Sequence, residues 1–174
     1  MLVLEILILL ILLLIFVQDI RARSVYWILF PLLAGALILL NYWQLKTITS
    51  VWQPVSINLG FIILQYILVT VYFSLRQKKL VNITDQLLGV GDILFLGAVA
   101  FYLSVLNFLF FYITSLIGSL IIWLIWQLFS SKKSKEIPLA GFQSILLILF
   151  LVSCWWGKLI DLTDDAWLLN LVSK

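Results

Sequence analysis

Six apolar runs separated by short polar stretches organise this chain, at about 2–17, 25–40, 56–75, 87–106, 108–129 and 138–156. Each approaches the roughly 20 residues that one helical crossing of a bilayer needs, with latitude for tilt. The pattern predicts an all-α, polytopic membrane protein with six transmembrane helices over residues 1–157. A more polar tail, 158–174, is expected to lie at the outer interface. Pro31 predicts a kink in the second run. The join between the fourth and fifth, near Asn107, carries no helix breaker.

The first run opens with Glu5 rather than a basic residue, and its positive charges follow it in Gln18-Asp19-Ile20-Arg21-Ala22-Arg23. That order is the reverse of a cleavable signal peptide, so the segment reads as a retained span with its amino end outside. Of the eleven basic residues, eight (Arg21, Arg23, Arg76, Lys78, Lys79, Lys132, Lys133 and Lys135) fall in loops on one side. Lys46, Lys158 and Lys174 fall on the other. The positive-inside bias places the first set in the cytoplasm and both termini outside. Trp43, Trp52, Trp155 and Trp156 sit where the outer interface is expected.

Composition narrows the class. The chain is 64% hydrophobic and 11% charged, with a mean hydropathy of +1.20, against about 25% charged residues in a soluble domain. No stretch is left for a separate soluble domain. The net charge of +3 resides in loops and suggests no nucleic-acid partner. There is no histidine and one cysteine, Cys154, which reads as a small buried hydrophobe. Histidine-based nucleophilic hydrolysis, histidine-ligated zinc, a paired-cysteine redox centre and an intrachain disulfide are excluded. Neither a metal nor a cofactor is expected, and acid–base chemistry falls to carboxylates.

Two carboxylates stand out. Asp92, in Gly89-Val90-Gly91-Asp92, lies about one turn inside an apolar run, where a charge costs about 2.5–3.5 kcal/mol on insertion scales unless it has a partner, water or a task. Asp19 closes the first run. The charge bias brings both to the cytoplasmic boundary at similar depth, because one ends an inward span and the other begins an outward one. Two such acids held together share a proton and can activate water against a carbonyl without a metal. Asp92 sits near a helix amino end, so it is expected to be the ionised base and Asp19 the proton donor. Gly89 and Gly91 remove side chains where a second segment could approach.

Other features have simpler readings. Asp161, Asp164 and Asp165 suggest a short interfacial helix, with Thr163 as its N-cap and Trp167, Leu168 and Leu169 on it, rather than a metal site. Asn82-Ile83-Thr84 matches a glycosylation sequon but falls in a loop placed in the cytoplasm.

Three stretches, in order along the chain, resemble the type IV prepilin peptidases, membrane aspartic proteases with a GxGD motif. They are Asp19-Ile20-Arg21-Ala22-Arg23 after the first span, Gly89-Val90-Gly91-Asp92, and Ile137-Pro138-Leu139-Ala140-Gly141-Phe142 at the entry to the last. The resemblance implies a peptidase of the inner (plasma) membrane that acts at its cytoplasmic face. It would remove the short basic leader of a prepilin or pseudopilin with a hydrophobic amino-terminal helix. Asp19 and Asp92 would be the catalytic pair, Gly89, Gly91 and Pro138 would shape the site, and lipid would be the other partner. Leu94 stands where the family often has a lysine, and Val25 where a proline usually opens the second span. The paired cysteines linked to N-methylation in longer members are missing, so no methyltransferase activity is expected. The alternatives are a presenilin-like or signal-peptide-peptidase-like protease, and a transporter or assembly protein using the two aspartates for protons. The first would place Tyr-Asp where Gln18-Asp19 stands; the second needs a polar path across the bilayer.

Overall fold

The computed structural model describes residues 1–45, 52–78, 89–129, 138–157 and 161–172. The sequon at Asn82, the acids Asp85 and Glu136, residue Ile137 and the basic residues Lys46, Lys79, Lys132, Lys133, Lys135, Lys158 and Lys174 lie outside the described residues. All regular structure among the described residues is helical: α1 (Leu2–Ala22), α2 (Leu29–Leu45), α3 (Trp52–Gln77), α4 (Val90–Val99), α5 (Val105–Phe129), α6 (Leu139–Trp155) and α7 (Ala166–Val172). Three are long and apolar enough to cross a membrane, namely α1, α3 and the 105–125 stretch of α5. The helices α2, α4 and α6 are apolar but shorter.

The helices begin where the chain chemistry lets them. Pro31 and Pro54 are each the third residue of their helices, and Pro138 is the N-cap of α6. First-turn N–H groups have no intrahelical acceptor, so a proline there sacrifices no bond. The kink expected at Pro31 is therefore replaced by a helix start. The α1 helix runs through Ala22 and closes on Arg23 in the left-handed conformation (φ 50°), whose N–H donates to the Asp19 carbonyl. Asp19 thus lies in the last turn of α1, not beyond it.

Polarity is arranged inside out. The α3 surface exposes Ile63, Leu64, Ile67, Leu68 and Val71, whereas Asn41, Asn58, Asn107, Ser115, Gln143 and Ser144 are buried. That is the distribution a lipid-facing bundle requires, since polar groups must find partners within the protein. Helix α1 packs on α2 and α6, α5 packs on α3 and α6, and α4 sits among α2, α3 and α6. Ile8, Leu12, Ile15, Leu37, Phe95 and Phe108, all fully buried, belong to the one hydrophobic core these helices share.

The central helix is the main departure from the sequence expectation. The fourth run was expected to cross at 87–106, but α4 ends at Val99 and the chain turns through 100–104 before α5 starts at Val105. Ten residues rise about 15 Å, half of a hydrocarbon core. Such a break strands carbonyl groups, and side chains from neighbouring helices satisfy them. Asn41 Nδ2 donates to the Phe101 carbonyl at 3.1 Å, and Asn58 Nδ2 donates to those of Ala100 and Leu103 at 3.4 and 2.9 Å.

The tail does not form the helix start expected at Thr163. Helix α7 begins at Ala166, and the Thr163 N–H and hydroxyl both donate to Asp161 Oδ1. Asp165 instead caps α5 from a distance. Its Oδ1 accepts from Ser104 Oγ at 2.5 Å and from the Leu106 and Asn107 N–H groups at 3.2 Å each. Asn107 completes the lock. Its Nδ2 donates to Ser104 Oγ and to the Asp161 and Asp164 carbonyls, and its Oδ1 accepts from Trp167 Nε1 at 3.0 Å. Asn107→Leu, which removes all four of these side-chain hydrogen bonds, is expected to destabilise the detergent-solubilised protein by about 3 kcal/mol. Thermal unfolding measures this; an unchanged midpoint would show the tail to be energetically detached.

Candidate active site

Two helix amino ends and one carboxyl end converge. Pro138 has no side-chain cap to offer α6, whose N-cap makes no side-chain hydrogen bond. The second and third residues of a helix normally give their N–H groups to such a cap. Here they meet acids from other helices. The Gly141 N–H donates to Asp19 Oδ2 at 2.6 Å, and the Ala140 N–H approaches the Asp92 carboxylate. Consecutive residues hold both acids, and adjacent Cα atoms are about 3.8 Å apart. The carboxylates are therefore held at one turn of α6, within electrostatic reach of each other.

Each acid has a second support. Gly89 is the N-cap of α4, and Asp92 at the third helical position reaches back to its N–H, half of a capping box. Asp19 is 9% exposed and feels the charge of Arg23.

Among the residues singled out in the sequence, Asp19, Asp92, Gly89 and Pro138 come together at this junction. A Cβ on Gly89 would stand 3.1 Å from Asp92 Oδ2. Gly91 faces elsewhere: its Cβ would meet Phe30 of α2 at 3.5 Å, an ordinary contact. Gly141, to which the sequence assigns no role, is the most crowded glycine of this junction. A Cβ there would lie 3.1 Å from Asp19 Oδ2 and 3.2 Å from Asp19 Cβ. Its position just after a proline that cannot cap the helix was the available signal.

The helix-end contrast behind the expected division of labour persists, with Asp92 in the first turn of α4 and Asp19 in the last turn of α1, but a third helix end now bears on both acids. The amino end of α6 faces both carboxylates and favours negative charge on either. Asp161, Asp164 and Asp165 have no part here, being engaged in the tail lock.

Asp92 also lines a small, partly open crevice between α3, α4, α5 and α6. Ile62, Val69, Ile93, Leu96, Leu116 and Leu139 make its walls apolar, and Gln65, Tyr112 and Gln143 add polar groups. Gln65 Nε2 donates to the Tyr112 hydroxyl. Cys154, half-buried near the opposite end of α6, is remote from the acids in sequence and takes no part in this lining.

Comparison of the chain with protein-family models, with curated proteins and with solved structures gives no match. The site is accordingly read on its own geometry.

Proposed function

We propose that the chain is a membrane-embedded aspartic endopeptidase of the prepilin-peptidase type, in which Asp19 and Asp92 activate water. One observation carries this reading: α1 and α4 deliver their acids to successive N–H groups at the start of α6. A pair so close favours a single shared proton over two negative charges.

The chemistry then needs nothing further from the chain. The ionised carboxylate takes a proton from water as the water oxygen attacks the scissile carbonyl carbon. The protonated carboxyl gives its proton to the carbonyl oxygen, forming a neutral gem-diol. In collapse, a gem-diol hydroxyl returns a proton to one carboxylate while the other acid protonates the departing nitrogen. The C–N bond breaks, leaving a new carboxyl and a new amine. The pair titrates as a unit, so either acid can begin as the base.

The substrate proposed is a prepilin-like chain with a short basic leader and an apolar amino-terminal helix, cut at the cytoplasmic face. The orientation favoured by the loop charges, with the amino end of α1 outside, brings the carboxyl end of α1 and the pair to that face. The resemblance of the three motifs supports this choice. Co-expression with a prepilin whose leader ends in glycine tests it, and leader loss is expected as a downward shift on a gel. A prepilin that stays full-length beside the properly inserted native chain would remove the assignment.

A further inference from the structure

Gln143 lies one turn into α6, fully buried. Its Nε2 donates to Ser115 Oγ at 3.3 Å, while its Oε1 accepts no hydrogen bond. A buried carboxamide oxygen without a donor is a standing penalty, and a leucine would fill the same space without one. Gln143 lines the crevice that also holds Asp92, two and three positions after Gly141 and Ala140, whose N–H groups meet the aspartates. The other carboxamide in that lining, Gln65, already has Tyr112 as a partner. What sets Gln143 apart is that its carbonyl oxygen is both buried and without a donor.

A helical segment offers no such acceptor a donor, because its N–H groups are already engaged. Attack on a peptide bond requires the segment to unwind, and unwound backbone between apolar walls needs acceptors supplied by the protein. We propose that this crevice binds the unwound, extended stretch of the substrate chain beside the scissile bond. Gln143 Oε1 accepts one of its backbone N–H groups, and the walls formed by Ile62, Val69, Leu96 and Leu116 receive an adjacent uncharged side chain. The proposal rests on the peptidase reading above and adds to it a recognition site for backbone.

The test uses the purified full chain in lipid nanodiscs. The parent substrate is a synthetic peptide with a lysine-rich leader ending in glycine, followed by an apolar helix. A matched series replaces one backbone amide at a time by an ester, leaving the scissile bond intact, so that a single N–H is deleted. One ester is expected to raise KM about tenfold, the factor equivalent to about 1.4 kcal/mol, with little change in kcat. Gln143→Leu should raise KM by a similar factor on the parent peptide and add nothing on that ester. A flat ester scan on the native chain overturns the proposal, whether or not the leucine variant folds, and so do penalties that add. Failure of the native chain to cut the parent peptide removes the peptidase reading itself. Efficient cutting with a flat scan removes only the role of Gln143.

Discussion

Asp19→Asn and Asp92→Asn are each expected to slow leader cleavage by about a thousandfold, within the range general acid–base groups contribute. The choice of asparagine follows from the geometry. Its carboxamide oxygen can still accept the Gly141 or Ala140 N–H, so the first turn of α6 stays capped. What disappears is the carboxyl that passes a proton. The double variant should be no slower than either single one, since the pair acts as a unit. Membrane insertion and thermal unfolding should match the native chain. This separates chemistry from capping: if the acids served only to cap α6, the asparagine variants would cleave at native rates. Cleavage within tenfold of native in either variant would sink the dyad. Alanine is the poorer probe, because Asp19→Ala also deletes the cap and should cost about 1 kcal/mol of stability.

The pattern of apolar runs was enough to find the helices, because lipid-facing surfaces leave long stretches with almost no charge. It could not find the end of α4. Residues 100–104 contain no charge, proline or glycine to mark a break, and the chain turns there with Asn41 and Asn58, some 40–60 positions earlier, donating to its freed carbonyls. A local pattern cannot contain that information. The tail was missed for the same reason. The residues after Thr163 do form a short helix, but Asp165 is claimed by Ser104, Leu106 and Asn107 across the fold.

At the candidate site, the two acids were legible as charges in costly places. Their meeting point was not. It consists of backbone N–H groups, which every residue but proline carries and which no motif advertises. Pro138 gave half of the clue, since it starts a helix without capping it. In the sequence, Gln143 is a single polar residue within an apolar run. Its importance appears only when its oxygen is found buried, unpartnered and in the same crevice as Asp92.

The second large effect is expected at Gly141, on the same contact approached from the opposite side. Gly141→Ala places a methyl group 3.1 Å from Asp19 Oδ2 and 3.2 Å from Asp19 Cβ. The oxygen could rotate away, but the Cβ is fixed to the α1 backbone, so α1 and α6 must separate by a few tenths of an ångström. That movement lengthens the hydrogen bond that holds Asp19 beside Asp92. Misplacement on this scale is expected to lower cleavage by about ten- to a hundredfold. Overpacking should also cost about 1–3 kcal/mol of stability. Gly89→Ala should be milder, because its Cβ would press only on the Asp92 carboxyl, the free end of a side chain. Gly97, with nothing within 4 Å of its added Cβ, supplies the control in the same bundle. Initial rates for the three alanine variants in nanodiscs should therefore rank Gly97 near native, Gly89 intermediate and Gly141 lowest. A Gly141→Ala enzyme as fast as Gly97→Ala would mean that the contact between α1 and α6 does not set the position of the acid.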